Sequence, residues 1–314
     1  MAHRLTGTHV FHPDLRLAAR LLPSGFAGRT TTAAMRRAAA LGRDRSPDIV
    51  EQVSETASVR VHRPASVPDP APAVLWIHGG GLVLGTARQD DGLCRRFAAE
   101  TGALVASVEY RLAPEHRFPA ALEDCYAALT WLAAAPDIDA GRIAIAGGSA
   151  GGGLAAALAI MARDKGEIRP AFQLLVYPML DDRTAARPDP GAATRRLWNN
   201  RANRYGWASY LGREPGSDGV SSYAAPARCS DLAGLPPAWI GVGSVDLFHD
   251  EDVEYARRLT ASGVPCRLDV VDGAFHGFDY VAGAAVARRF ADLRIEALRA
   301  GLTGTPQTGD GMLR

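Results

Sequence analysis

Lysine is almost missing from this chain. Lys165 is the only one among 35 lysine and arginine residues, so arginine carries nearly all the positive charge. That bias, together with many alanines, points to a GC-rich and bacterial coding sequence rather than to a function. Cysteine is scarce too. Cys94, Cys125, Cys229 and Cys266 lie far apart with no CxxC spacing, which argues against a thiol redox or metal motif. They read as small buried hydrophobes in a reducing compartment. Excess charge of either sign is absent. A formal net charge of +1 gives no general attraction to nucleic acid or to an anionic membrane. Nor does any window approach the roughly 18 uninterrupted apolar residues of a membrane span.

What remains is the composition of a globular enzyme, with 47% hydrophobic and 22% charged residues. A chain of 314 residues holds one large α/β domain, with room for an inserted or appended cap. Residues 1–45 carry eight arginines against two acids, Asp14 and Asp44, a bias shared with organellar transit peptides. Arg16 and Arg20 interrupt any apolar stretch there, which excludes a secretory signal. The preferred reading is one or two amphipathic helices lying over the main domain, in a cytoplasmic protein. A homodimer is left open.

From residue 57 onward, short apolar runs alternate with helical patterns. The runs span 57–63, 72–79, 103–110, 142–148, 171–178, 237–244 and 265–273. Helices are predicted near 88–101, 119–135, 149–165, 250–262 and 283–300. Runs that are apolar on both faces and separated by helices predict a mostly parallel sheet covered on both sides. Residues 179–222 break the rhythm. They are rich in Arg, Pro, Gly and Asn, with Trp198, Tyr205, Trp207 and Tyr210 scattered through them. A connection of that length usually has a function or forms a small subdomain, and it reads as part of a lid.

The densest signal is "RIAIAGGSAGGGLAAALAIMAR", residues 142–163, where a strand pattern meets a serine amid glycines. Two jobs suit such a junction: cradling a phosphate, or holding a nucleophile on a strained turn. A P-loop needs a lysine that is not there, and "GGSAGG" lacks the GxGxxG spacing of a dinucleotide site. Gly147, Ser149 and Gly151 instead make GxSxG, the nucleophile elbow. Its serine takes an unfavourable backbone angle, so its neighbours two positions away must lack side chains. A second element, "LWIHGGGLVLG", sets His78, Gly79, Gly80 and Gly81 just past an apolar strand. Bare amides there can point at a substrate oxygen, with Ala150 supplying another donor, each typically worth about 3 kcal/mol to a transition state. The base and its orienting acid should follow in the order Ser, Asp, His. Asp246 and His276 satisfy that order, each just past a strand end, where open α/β sheets bind ligands. Asp250 and Asp252 fit helix starts better; His249 shares their loop, and His116 precedes the elbow.

With these pieces assembled, the chain resembles the hormone-sensitive-lipase-like family of α/β-hydrolase esterases, also called bacterial family IV. The likeness covers about residues 57–300 and rests on "HGGG" (78–81), "VEYRLAPEHRFPAALEDCYAAL" (108–129), "GGSAGGGLAAALA" (147–159), the stretch 223–259 and "FHGF" (275–278). It implies an α/β-hydrolase fold with a helical cap. Residues 1–50 would form the N-terminal part of that cap, and residues 51–314 the catalytic domain, with a cap insertion at about 179–222. It further implies Ser149 as nucleophile, His276 as base, Asp246 as its partner, and Gly79, Gly80 and Ala150 as the oxyanion hole. The implied activity is hydrolysis of short- to medium-chain acyl esters without metal or organic cofactor. Trp198 and Trp207 are candidates to line the substrate pocket. Arg111 and Glu115 are expected to pair and brace loops nearby. One departure stands out: many members have Asp where this chain has Gly148. An amidase, lactonase or peptidase would use the same apparatus, and a non-catalytic small-molecule binder would share the fold.

Overall fold

The seven apolar runs become seven strands of one sheet in a computed structural model that describes residues 10–25, 27–41, 49–66, 68–305 and 309–313. In chain order the strands are β1 (Ile49–Gln52), β2 (Ser58–His62), β3 (Ala71–Ile77), β4 (Leu104–Glu109), β5 (Ile138–Gly148), β6 (Phe172–Val176), β7 (Ala238–Gly243), β8 (Cys266–Val271) and β9 (Gly309–Leu313). They lie in the order β1-β2-β4-β3-β5-β6-β7-β8-β9. Only the β1–β2 and β2–β4 pairings are antiparallel. Strands β3, β6 and β7 are buried along their whole length, as a sheet covered on both faces requires.

The predicted helices follow at the expected places: α3 (Asp91–Thr101), α4 (Ala120–Ala134), α5 (Ala150–Lys165), α7 (His249–Ala261) and α8 (Ala285–Leu302). Right-handed crossovers set α3 on one face, because β3 to β4 runs one way across the sheet. They set α4, α5 and α7 on the other face, because the chain from β4 to β8 runs back. Two further helices, α1 (Arg16–Leu21) and α2 (Arg29–Leu41), lie in the arginine-rich N-terminal region, and α6 (Asn200–Leu211) lies in the long connection after β6. Residues 1–9 and 42–48 of the anticipated N-terminal cap fall outside the described residues. All four cysteines are buried, and none is in a disulfide. Among the described residues no helix is long and apolar enough to cross a membrane.

This topology positions the site. Strand β3 connects outward to β4, and the chain then returns to place β5 on the other side of β3. Strand order therefore reverses between β3 and β5, which pair in parallel up to Ile77 and Gly147. Crevices at such reversals, beyond the carboxyl ends of the strands, are where open α/β sheets bind ligands. The HGGG loop leaves β3 there, and Ser149 leaves β5.

Candidate active site

Ser149 occupies the single residue between β5 and α5, with φ 57° and ψ −119°. Few non-glycine residues adopt such angles, and the neighbours show why the turn is glycine-rich. A Cβ at Gly147 would come 2.3 Å from the carbonyl oxygen of Gly151, and one at Gly151 would come 2.0 Å from that of Ile77. Both obstacles are backbone and cannot swing aside. Gly148 differs: a Cβ there would meet nothing closer than Trp76 Cζ2 at 3.8 Å.

The Ser149 hydroxyl lies 2.9 Å from His276 Nε2. On the far side of the ring, Nδ1 lies 2.9 Å from Asp246 Oδ2. A carboxylate can only accept at that distance, so Nδ1 carries the hydrogen and Nε2 is left as acceptor for the serine O–H. The second oxygen of Asp246 accepts the Phe248 amide at 3.0 Å. The imidazole is fixed by ring edges as well, with Tyr177 at 4.7 Å and Phe248 at 5.2 Å between centroids. His276 and Asp246 reach this meeting from the loops after β8 and β7. His249 contacts Asp250 instead, and Asp252, buried near Asp246, hydrogen-bonds to none of the three groups.

The loop after β3 closes the other side. Gly80 has φ 127° and Gly81 φ 61°, and the amides of Val83 and Leu84 both return to the Gly80 carbonyl. Gly79 lies against the nucleophile, where a Cβ would stand 3.4 Å from that of Ser149. Among the described residues, no acceptor takes the N–H groups of Gly79, Gly80 or Ala150. That of Ala150 is also the first amide of α5, where a helix has unsatisfied donors and a positive dipole end. His78 does not serve the reaction centre. It is buried and stacked on Tyr110 at 4.2 Å, and its Nδ1 faces the Gly79 carbonyl at 2.7 Å. Burial, against that hydrogen bond, pulls its pKa down to about 4, which keeps it neutral.

Above these groups opens a cavity of about 1060 Å³, lined by Gly79, Gly80, Ser149 and His276, and also by Met35 and Arg36 of α2 and by Trp198. Trp207 is not part of its wall. This residue, anticipated as pocket-lining, is instead buried against Tyr210, because the residue before it, Gly206, presses α6 onto the Gly81 carbonyl and turns that helix face inward. The expected Arg111–Glu115 pair is also corrected. Arg111 binds Asp124 at 2.9 Å, whereas Glu115 binds Arg36 at 2.6 Å. Arg36 further donates to the carbonyls of Val83, at 2.7 Å, and Ala113, so it clamps α2 onto the glycine loop.

One residue near the site gave no sequence signal. Arg195 donates to the carbonyls of Val245 at 2.8 Å and Asp246 at 2.7 Å, and pairs with Asp189 at 2.8 Å. It ties the connection after β6 to the turn bearing Asp246, but in a chain so rich in arginine nothing distinguishes it.

A serine elbow and a glycine loop at the reversal of a mostly parallel sheet define the α/β-hydrolase class, and comparison with known proteins agrees. The family model described as alpha/beta hydrolase fold matches residues 74–280. The chain is 40% identical to Esterase LipI of Mycobacterium tuberculosis over 253 residues, 78% of each chain. It is 34% identical to Ethyl acetate hydrolase of Pseudomonas putida, over 76% of this chain and 78% of that one. Among solved structures, Bacterial Heroin Esterase superposes with a TM-score of 0.83 at 39% identity, covering 94% of this chain and 99% of that chain. The chain belongs to the α/β-hydrolase family, in its hormone-sensitive-lipase-like branch. It is an enzyme of the hydrolase class.

Proposed function

We propose that this hydrolase is a serine carboxylesterase working through an acyl-enzyme, with Ser149 as nucleophile, His276 as general base and Asp246 as its orienting partner. The observation that carries this reading is the pair of 2.9 Å contacts linking the hydroxyl, the imidazole and the carboxylate. As Ser149 Oγ bonds to the ester carbonyl carbon, its proton passes to His276 Nε2. Negative charge gathers on the former carbonyl oxygen, where the amides of Gly79, Gly80 and Ala150 can stabilise it. Collapse of this intermediate breaks the bond to the alkoxy group, which takes the proton from the imidazole. Water then repeats the sequence on the acyl-enzyme and releases the acid. Ester cleavage is also the activity printed in the names of the relatives. An imidazole held this close to the serine has no use in a non-catalytic binder.

Helix α2 and the segment leading into α6 read as parts of a cap over the cavity, with Trp198 on its inner surface. A cavity of about 1060 Å³ suits short to medium acyl groups. The four buried cysteines, none of them in a disulfide, support a cytoplasmic location. The test is a nitrophenyl ester series from acetate to palmitate, with Ser149→Ala as blank. The variant should lose about 10⁴-fold in turnover or more, and should no longer take up a fluorophosphonate label. Near-normal hydrolysis by Ser149→Ala, or rates that climb steadily to palmitate, would refute the corresponding part of the reading.

A further inference from the structure

The cavity above Ser149 continues past Gly148 towards polar groups that ester cleavage does not use. With no side chain at residue 148, a gap of about one methyl group is left between the Trp76 and Tyr177 rings, since a Cβ there would make ordinary contact with both, at 3.8 Å and 4.0 Å. Each ring leads to a carboxyl group. Trp76 Nε1 donates to Asp90 Oδ2 at 2.8 Å, and the Tyr177 hydroxyl donates to Asp279 Oδ1 at 2.7 Å. Both acids line the same cavity as Ser149. Asp279 is neutralised by Arg294, at 2.9 Å from its other oxygen. Asp90 has no such direct pair: among the described residues no cation lies within ion-pair distance of it, although it is only 5% exposed, and the more distant Arg294 guanidinium and the Gln89 side chain offset its burial only in part.

Nothing in the fold accounts for a charge at this position. Asp90 is the residue before α3, yet its side chain caps no amide of that helix. The Trp76 indole needs only an acceptor, which a neutral amide would supply equally well. A buried carboxylate without a counter-ion costs stability, so its retention beside a substrate cavity calls for a ligand. Other charged groups on the cavity wall have partners, although Arg288 reaches only the Gly283 carbonyl, at 3.0 Å. Arg36 pairs with Glu115, Arg96 with Glu100 and Asp292, and Glu109 accepts the Ala87 amide.

We propose that Asp90 is the counter-ion for a cationic substituent of the ester substrate, an ammonium group or protonated amine, held against Trp76 and Tyr177 on the cavity wall where Gly148 presents no side chain. The two aromatic rings add cation–π attraction to the ion pair. Residue 148 thus leaves the wall bare here, and the carboxylate comes from the start of α3. The inference rests on Ser149 being the nucleophile, because that fixes which end of the cavity holds the scissile bond.

Matched pairs of esters test it: a choline ester against its all-carbon isostere for the alcohol side, and the nitrophenyl ester of γ-trimethylammonio-butyrate against its all-carbon isostere for the acyl side. The quantity read is the ratio of kcat/KM within a pair, so changes common to both members cancel. The wild-type enzyme should favour the cationic member of one pair by about tenfold or more, and Asp90→Asn should remove about tenfold of that preference. Gly148→Val, which fills the space while leaving Asp90 in place, should remove it as well, and decides the matter if Asp90→Asn does not fold. No cationic preference in either pair, or a preference that the variant leaves unmoved, overturns the proposal. Nitrophenyl acetate is run alongside. An enzyme that cleaves acetate without any cationic preference refutes this inference alone, whereas one that cleaves no ester refutes the esterase reading beneath it.

Discussion

Holding Ser149 at φ 57° costs on the order of 1–3 kcal/mol, which the surrounding packing must offset. That packing is tight enough to make the glycines of the turn unequal. Gly151→Ala should cost more than about 3 kcal/mol or abolish folding, because its Cβ would meet the Ile77 carbonyl at 2.0 Å. Gly148→Ala should change stability by less than about 1 kcal/mol, since its Cβ would make only ordinary contacts. Urea denaturation of the two variants decides, and equal losses would show that the turn is less rigid than drawn. At this scale the sequence was legible wherever a residue's role depends on chain order. Ser149, Asp246 and His276 stand at strand ends in the order that the chemistry requires. Asp90 was not legible, because an acid before a helix ordinarily reads as a cap, and only its place on the cavity wall without an ion pair sets it apart. Trp207 was misplaced for a related reason: composition marks an aromatic residue but not the direction it faces.

Elements were legible when buried and obscure at the margins. Each of the seven apolar runs is a strand because both of its faces are covered. Strands β1 and β9 escaped notice for lack of any such signature. "IVEQ" is exposed along its whole length, and "GDGML" carries two glycines. Contacts between elements were further out of reach, as the exchange of partners by Arg111 and Glu115 shows. The connection between β6 and α6 illustrates what such contacts do. Arg195 grips two successive carbonyls of the turn that presents Asp246. Arg195→Ala should therefore lower kcat by about 10- to 100-fold with little change in KM, since small displacements of a catalytic group are costly in rate. Steady-state kinetics on nitrophenyl butyrate distinguishes this from a pocket effect, which would raise KM instead.

For the whole molecule, the pH dependence of stability collects contributions from several buried groups of opposite sign. Burial raises the pKa values of Asp90, Glu109, Glu251 and Asp252, and it lowers that of His78. For a carboxyl group raised from 3.8 to about 6, as in Asp90, the folded state binds the proton more tightly than the unfolded chain. Its charged form therefore destabilises the protein above pH 6, and the cost fades as pH falls from about 6 to 3.8. His78 works the other way: its neutral form is favoured, and stability is lost as pH falls from 6.5 to about 4. Asp90→Asn keeps an acceptor for Trp76 and removes the charge. At pH 8 it should be more stable than wild type by up to about 3 kcal/mol, at about 1.4 kcal/mol per pH unit of displacement. The gap should close below pH 4, and urea denaturation at both pH values measures it. A constant gap would mean that the charge is not what sets the difference.

The outermost strand has a practical consequence. Strand β9 runs parallel to β8, with Leu313 beside Val271, so the polypeptide leaves the sheet on the same rim as the loop carrying His276. The first described residues arrive there too, since the His12 amide donates to the Gly273 carbonyl and Phe11 packs edge-on against Phe275. A linker joined at Leu313 would therefore start on the rim that carries the His276 loop. Immobilised preparations should be attached through an engineered cysteine at the opposite end of the sheet.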